Sequence, residues 1–274
     1  MRLSIRHTTR YHFDSPVVHA LQRLRLTPKH TQGQEILAWE MEYENAQAEL
    51  EYEDQNCNTV TLVSVEPGAS EVVITCKGTV QTHDNAGVIG KHSGNLPLWS
   101  FLRQTALTRP GPKMRAMWRD FEAPQMEKLD LLHALSAHIR DTITYETGHT
   151  AVDTTAEQAV EAGHGVCQDH AHIFIGSARA HDIPARYVSG YLMMNDRIDQ
   201  EATHAWVEAH IDGLGWVGFD VSNGISPDPR YVRVATGFDY RDAAPVTGIS
   251  FGVTEQVLTV DVAVEQQQVE QAQQ

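Results

Sequence analysis

One cysteine of this sequence stands where its side chain could act as a nucleophile. Cys167 follows the glycine pair Gly163 and Gly165, and the residues after it place apolar side chains at helical spacing. The sequence therefore predicts a helix that begins at or near Cys167. Free backbone N–H groups and the positive end of the helix dipole favour a thiolate at such a position, and they could also hold an oxyanion. We therefore interpret Cys167 as a nucleophile.

A thiol nucleophile needs a base, and the base needs a third group that fixes its orientation. The candidate base is His204 and the candidate orienting group is Asp220. Residues 203–211 and 215–220 read as two strands, and the turn Asp212-Gly213 between them predicts a hairpin. Antiparallel pairing of these strands would place His204 and Asp220 side by side. The sequence thus predicts a Cys-His-Asp triad.

Four ordered blocks of sequence surround these residues, and together they cover about residues 145–252. In these blocks the sequence resembles the bacterial transglutaminase-like family, whose members carry a β-rich N-terminal region before a papain-like transglutaminase core. The resemblance implies a cysteine protease-like or transglutaminase-like enzyme. The matching blocks are Gly165-Val166-Cys167-Gln168-Asp169-x-Ala171-His172, Ile183-Pro184-Ala185-Arg186-Tyr187-Val188-Ser189-Gly190-Tyr191, His204-Ala205-Trp206-Val207-Glu208 with Gly215-Trp216-x-Gly218-Phe219-Asp220, and the stretch from Val234 to Gly248.

The sequence departs from the family pattern at two places. The family usually follows its aspartate with proline and threonine, whereas Asp220 is followed by Val221-Ser222-Asn223-Gly224. The family usually has an aromatic residue at the position of His170. In the predicted helix His170 lies three residues after Cys167 and therefore on the same face.

Five further residues are candidates for lining the site or donating to the oxyanion. Tyr145 lies in a Tyr-x-x-Gly-x-Thr segment that the family also shows, and Gln168 and His170 directly follow the cysteine. Tyr191 and Trp206 are aromatic residues of the matching blocks. For each of the three aromatic residues, packing in the core is an equally good interpretation, and the amide of Gln168 could also point away from the site.

A metal site is the alternative to a triad. Cys167 and His170 would supply only two ligands on one helical face, so His204 would have to be the third. No Cys-x-x-Cys pair and no His-Glu-x-x-His motif is present to complete such a site. We therefore expect no metal and no cofactor.

Composition limits the classes of partner. The 274 residues carry a formal net charge of −15 and are 41% hydrophobic, which is enough for sizeable cores. An acidic balance argues against sequence-independent binding to nucleic acid or to an anionic membrane. The first residues lack the apolar core of a signal peptide, and no apolar run reaches membrane-spanning length, so we expect a cytoplasmic protein. The three cysteines fit no disulfide framework.

Hydrophobic periodicity changes along the chain and predicts an α+β fold. Residues 1–82 alternate apolar and polar side chains and predict an antiparallel β-sandwich or open barrel. Residues 83–124 read as a connector that packs on both halves, residues 125–264 as a papain-like transglutaminase core, and residues 265–274 as a disordered polar tail. Within the core, residues 129–143 predict a helix, and a capping box at Thr154 and Glu157 predicts a second helix that Gly163 ends.

These expectations combine into one function with two alternatives. The first choice is a hydrolase of peptide or isopeptide amides that works through the triad and a thioester acyl-enzyme. The second is a transglutaminase or amide ligase that passes the acyl group to an amine, and the third is a non-catalytic scaffold of the same fold. The expected partner is a peptide or protein amide, and the sequence does not predict the oligomeric state.

Overall fold

The computed structural model describes residues 1–121, 126–200, 202–251 and 256–267. It confirms the α+β class, with a β-rich N-terminal region followed by helices packed on an antiparallel sheet. The helices are α1 (Pro112–Asp120), α2 (Lys128–Thr142), α3 (Ala156–Ala162), α4 (Cys167–Ala180) and α5 (Tyr240–Ala243), with a 3-10 helix at Leu98–Leu102. The strands are β1 (Arg2–Phe13), β2 (His19–Leu24), β3 (Gln34–Glu44), β4 (Ala46–Glu53), β5 (Thr59–Val65), β6 (Glu71–Thr82), β7 (Val88–Gly90), β8 (Thr144–Tyr145), β9 (His164–Gly165), β10 (Ala185–Leu192), β11 (Asp199–Gln200), β12 (His204–Ile211), β13 (Gly215–Phe219), β14 (Tyr231–Gly237), β15 (Val246–Phe251) and β16 (Gln256–Gln266).

Two antiparallel sheets form the N-terminal sandwich. The first has the strand order β11-β16-β1-β6-β3 and the second the order β15-β2-β5-β4. Alternation along the strands turns one face of each sheet inward, where both faces contribute to one apolar cluster. That cluster contains Tyr11, Phe13, Leu24, Val63, Val65, Val72, Ile74 and Cys76.

The two strands that end the described chain return to this sandwich. β16 pairs with β1 and β15 pairs with β2, both antiparallel. β16 thereby covers an edge of β1 that would otherwise expose unpaired backbone groups. Of the predicted tail, residues 265 and 266 belong to β16, and residues 268–274 lie outside the described part of the chain. The predicted domain boundaries 82/83, 124/125 and 264/265 stay predictions.

The core sheet carries the candidate site where its strand β12 begins and its strand β13 ends. Its order is β14-β10-β12-β13-β7, all antiparallel, so β7 of the predicted connector extends this sheet. The helix α4 packs on one face, and its residues from Asp169 to Arg179 are all buried. The cluster beneath it includes Leu132, Leu135, Ile139, Ala171, Phe174, Ile175, Ala205, Val207, Ala209 and Phe219. The helix that starts at Cys167 therefore packs against α2 and against the strands β12 and β13 of the core sheet.

The N-terminus of α3 differs from its predicted form by one residue. The capping box uses Thr155 and Gln158, not Thr154 and Glu157. Glu157 instead caps α1, since its carboxylate accepts hydrogen bonds from the backbone N–H groups of Gly111, Lys113 and Met114 at 2.7–3.1 Å. A carboxylate at a helix N-terminus satisfies several free N–H groups at once and favours the helix dipole.

The sandwich and the core share a buried joint. Leu3 and Ile5 at the start of β1 lie in one cluster with Tyr191, Val232 and Val234 of the core sheet. Further along the same face of β1, side chains pack into the sandwich instead. One strand thus contributes to both cores. No helix in the described ranges combines the length and apolar character needed to cross a membrane.

Candidate active site

The predicted helix start at Cys167 is confirmed, and two glycines explain how the chain reaches it. Gly163 ends α3 with a φ of 75°, a left-handed conformation that glycine adopts at little cost. At Gly165 a Cβ atom would lie 2.7 Å from the Cβ of Asp169. The close approach lets Asp169 Oδ2 accept hydrogen bonds from the backbone N–H of Val166 and from the hydroxyl of Thr150, both at 2.8 Å. Asp169 thereby caps the N-terminus of α4 by holding the N–H of Val166, the residue before the cysteine.

The structure brings Cys167, His204 and Asp220 together. His204 is the first residue of β12, and its Nε2 lies 2.6 Å from Asp220 Oδ2. Its ring also lies near enough to the Cys167 thiol for that group to raise the pKa of the imidazole. Because Asp220 engages Nε2, Nδ1 is the ring nitrogen that remains for the thiol. The three side chains therefore form a line from thiol to imidazole to carboxylate.

The predicted hairpin of β12 and β13 is present, but His204 and Asp220 do not face each other directly. Val207 pairs with Phe219, so the position of Asp220 falls opposite Trp206. His204 lies two residues before Trp206 on β12, and its side chain therefore reaches Asp220 diagonally. The contact forms because His204 and Trp206 lie on the same face of the strand.

Asp220 is fully buried and has four donors around its carboxylate. Besides His204, Oδ2 accepts from the Tyr231 hydroxyl and the Asn223 side-chain amide, each at 2.7 Å. Oδ1 accepts from the backbone N–H of Asn223 at 3.1 Å. Burial alone raises the pKa of this carboxyl, but its contacts with His204, Tyr231 and Asn223 outweigh burial and lower the pKa below its usual value. The carboxylate stays charged and fixed in place.

The imidazole of His204 responds to the negative groups on either side. Burial alone lowers its pKa, but the hydrogen bonds with Asp220 and Cys167, together with their negative charge, outweigh burial and raise the pKa to about 10. His204 therefore carries a proton at neutral pH. A protonated imidazole held by a buried carboxylate can give its proton to a leaving group.

Of the five candidate lining residues, Tyr145 is the one whose position and protonation suit an oxyanion donor. Its side chain is half-exposed, and β8 holds it next to the loop before Cys167 through the pairing of Tyr145 with Gly165. Burial, Cys167 and Asp220 raise the pKa of Tyr145 to about 12, so the hydroxyl keeps its proton and can donate. The backbone N–H of Cys167, at the first position of α4, has no acceptor among the described residues.

Gln168 and His170 both use their polar atoms elsewhere. The Gln168 amide donates to the carbonyl of Val152 at 3.1 Å. His170 is buried, with Nδ1 bonded to the Ser222 hydroxyl at 2.9 Å and Nε2 to the Ile143 carbonyl at 3.2 Å. Burial lowers the pKa of His170, which favours its neutral form. Neither side chain is directed to the thiol.

Tyr191 and Trp206 are both buried in the core, and their role as lining residues stays a prediction. Tyr191 is 1% exposed, and its hydroxyl bonds with Nδ1 of His7 at 2.9 Å in the joint with the sandwich. Trp206 is 2% exposed and packs against Tyr231, with its ring 6.2 Å from that of His204. Tyr191 lies on β10 and Trp206 on β12, and large aromatic side chains on such central strands fill the space between layers.

The metal alternative would require Cys167, His170 and His204 to share one ion. Both nitrogens of His170 are engaged by Ser222 and Ile143. Among the residues that the structure describes, no group of three His, Cys, Asp or Glu side chains is placed to hold a metal ion.

Sequence reasoning missed the residues that surround the aspartate. Asn223 lies in the segment that departs from the family pattern, and its position three residues after Asp220 is typical of a local side-chain-to-backbone turn. The structure places Gly224 in this turn at a φ of 66°, with its N–H bonded to the Asp220 carbonyl at 2.8 Å. Tyr231 had no local signal, because it reaches the site from β14.

A buried helix that begins at a cysteine and packs on an antiparallel sheet defines a papain-like, transglutaminase-like protein. Residues 115–221 match the family described as the transglutaminase-like superfamily. Residues 3–81 match the bacterial transglutaminase-like N-terminal region. The chain therefore belongs to the transglutaminase-like superfamily and carries the bacterial N-terminal region in front of the core.

Known proteins resemble the chain over nearly its whole length. An uncharacterized protein of Mycobacterium leprae is 28% identical over 265 residues, covering 92% of this chain and 94% of that protein. An uncharacterized protein of Mycobacterium tuberculosis is 28% identical over 291 residues, covering 96% and 92%. A crystal structure named "Putative Cysteine Protease from Cytophaga hutchinsonii" superposes with a TM-score of 0.77 at 22% identity, covering 98% of this chain and 92% of that one. That likeness confirms the fold.

Proposed function

We propose that the protein is a cysteine-dependent hydrolase of peptide or isopeptide amides that works through Cys167, His204 and Asp220. The observation that carries the proposal is the line of these three side chains at the start of α4, with His204 bonded to Asp220 at 2.6 Å. A transglutaminase-like fold supports a peptide or protein as the substrate.

The first half of the reaction forms a thioester. The Cys167 thiolate attacks the amide carbonyl, and the oxyanion accepts a hydrogen bond from the Cys167 backbone N–H and a second from the Tyr145 hydroxyl. The His204 imidazolium then gives its proton to the departing amine, which leaves as the C–N bond breaks. Asp220 keeps the imidazole oriented and stabilises its positive charge.

The second half resolves the thioester. Neutral His204 takes a proton from water, the hydroxide adds to the thioester carbonyl, and the thiolate leaves as the acid is released. An amine could replace water, which would make the same site a transglutaminase. Cys167 is partly exposed and Tyr145 is half-exposed, so water can reach the thioester, and water is the first choice.

Thiol labelling tests the nucleophile without a known substrate. Cys57 and Cys76 serve as internal references, since Cys76 is buried and Cys57 partly so. We expect iodoacetamide near neutral pH to modify Cys167 at least about tenfold faster than either reference, because a thiolate is the reactive species. The advantage should disappear in His204→Ala and persist in His210→Ala, which removes a histidine from the far end of the same strand. Equal rates for all three cysteines contradict the proposal.

Trapping of the acyl-enzyme identifies the reaction. The chain is mixed with a peptide pool, quenched in acid and analysed for a mass adduct on Cys167. Wild-type protein should release free acid from the trapped species in water alone. An amide product that forms in preference when a primary amine is present would instead assign the transglutaminase alternative.

A further inference from the structure

A cavity of about 480 Å³ lies between the N-terminal sandwich and the core sheet, away from the thiol. Arg186, Arg233 and Trp216 line it from the core side, and Lys29 and Asn56 line it from the sandwich side. None of these residues has a role in the proposed reaction. The cavity therefore needs a separate explanation.

The cavity wall holds more positive than negative charge. Glu208 is fully buried and accepts from Arg186 Nε at 2.6 Å and from Arg233 Nε and Nη2 at 2.6 and 3.0 Å. Two guanidinium groups thus share one carboxylate. Within the described ranges, Nη1 and Nη2 of Arg186 have no acceptor, and its guanidinium stands 3.9 Å from the centre of the Trp216 ring.

Lys29 adds a third cation that has no acidic partner. Its Nζ donates to the Asn56 carbonyl at 2.6 Å and to the Thr236 hydroxyl at 3.0 Å, both neutral groups. Burial and the charges of Arg233 and Arg186 hold the pKa of Lys29 well below its usual value. The acidic residue at the rim, Glu53, is solvent-exposed and therefore weakened by screening. Three basic groups therefore face one buried carboxylate, so the interior of this wall has an excess of positive charge.

Asn56 gives an independent indication of a ligand. Its residue is 9% exposed, and neither its side-chain oxygen nor its side-chain nitrogen has a hydrogen-bond partner among the described residues. The backbone around it is fixed, since the Asn56 N–H donates to Asp54 Oδ1 at 2.9 Å. A buried amide without partners is destabilising, and natural proteins satisfy such groups with a ligand or ordered water.

We propose that this cavity binds a small oxyanion, a carboxylate or phosphate group, held by Arg186, Arg233 and Lys29 with Asn56 hydrogen-bonding to the ligand. Planar guanidinium groups match the shape of both oxyanions, and the negative charge of the anion balances the excess positive charge of the wall. Glu208 lies four residues beyond His204 on the same face of β12, about 13 Å along the strand. The oxyanion site is therefore separate from the triad.

Calorimetric titration of the full chain tests the proposal, with inorganic phosphate in one arm and succinate in the other. The buffer contains only chloride as its anion, and ionic strength is held constant so that screening does not change. Binding of either anion supports the oxyanion site, and the tighter of the two identifies its chemistry. The absence of saturable binding by both anions to the folded chain overturns the proposal.

Charge reversal at the rim locates the bound anion. Lys91 is exposed and lines the cavity, whereas Lys128 is exposed and paired with Asp212 elsewhere. Lys91→Glu should weaken binding about tenfold, and Lys128→Glu should leave it within about twofold. Equal weakening by both variants would mean general charge attraction and contradict the site. Both substitutions are at the surface, so folding is preserved.

Two further variants complete the test. Lys29→Met removes the buried cation at similar volume and should abolish saturable binding in a chain whose melting temperature shows it folded. Cys167→Ala should bind both anions as the wild type does, because the thiol is not part of the cavity. Loss of binding in Cys167→Ala would contradict a separate site, whatever the outcome for the proposed hydrolase.

Discussion

His204 is the residue on which the proposed chemistry depends, because its charge state is set by two neighbours at once. Asp220 and Cys167 both raise its pKa, against the effect of burial. The sequence predicted all three residues from their types and order, and the structure places them close together. It could not give the pKa of His204, which depends on how completely the imidazole is buried.

Removal of the thiol should lower the pKa of His204. In Cys167→Ala the imidazolium loses a hydrogen bond and a neighbouring negative charge while burial continues to oppose its protonation. We expect the ring to titrate near pH 10 in the wild type and at clearly lower pH in the variant. NMR titration of the imidazole carbons measures both values. The same pKa in both proteins would show that no thiolate lies beside the ring; Cys57→Ala is the matched control and should change nothing.

Removal of the orienting carboxylate should slow the thiol. Asp220→Ala leaves Nε2 of His204 without its acceptor at 2.6 Å, so the imidazolium is neither held nor stabilised. We expect iodoacetamide labelling of Cys167 to slow by at least about tenfold at neutral pH, on the pattern of weakened triads. Asp228→Ala removes an aspartate that pairs with Arg230 and should label at the wild-type rate. An unchanged rate in Asp220→Ala would exclude Asp220 from the site.

At the scale of elements, local patterns predicted the helix at Cys167 and the hairpin that carries His204. Apolar spacing and turn residues are local signals, and they placed α2 and α4 within a residue or two. The diagonal contact of His204 with Asp220 was not predictable, because it depends on the register of the hairpin. Likewise, the sequence did not reveal that Glu157 caps α1, since that contact joins two helices distant in sequence.

The two departures from the family pattern contact each other. His170 on α4 bonds to Ser222 in the turn after Asp220, at 2.9 Å. One end of this bond lies on the helix that carries Cys167, and the other lies two residues from the aspartate. We infer that the pair fixes the distance between the helix and the turn, with His170 in place of the usual aromatic residue and Ser222 in place of the usual threonine.

A double-mutant cycle tests this bond between α4 and the turn. Ser222→Ala and His170→Phe each remove one partner, so the effect of both together should be less than the sum of the single effects. We expect a coupling free energy of about 0.5–1.5 kcal/mol in urea unfolding. Ser226→Ala, in the same loop but without a bond to His170, should be additive with His170→Phe. Additivity of the Ser222 pair would show that the bond does not stabilise the protein.

At the scale of the whole molecule, the sequence divided the chain into a β-rich half and a mixed half but missed how the two are joined. Strand content is a local property, whereas the pairing of β16 with β1 links residues from opposite ends of the chain. The joint also buries polar groups. His7 on β1 is 1% exposed and bonds with the Tyr191 hydroxyl and with Thr9.

This joint should make stability depend on pH. Burial lowers the pKa of His7 from 6.5 to about 4, so the unfolded chain takes up a proton before the folded chain does. The stabilisation by neutral His7 is therefore complete above about pH 6.5 and is lost progressively as the pH falls to about 4. The loss amounts to at most about 3 kcal/mol in the free energy of unfolding.

Urea unfolding across that range, in wild type and His7→Gln, isolates the contribution of the joint. Glutamine keeps hydrogen-bonding capacity for Tyr191 and Thr9 but does not titrate, so the variant should lose less stability on acidification than the wild type. His172 is also buried with a pKa of about 4 and remains in both proteins, so the variant keeps part of the slope. His12→Gln, at an exposed position on the same strand, should behave as the wild type does. If His7→Gln and the wild type lose stability in parallel, His7 takes up a proton as readily in the folded chain as in the unfolded chain. Burial in the joint would then not lower the pKa of His7.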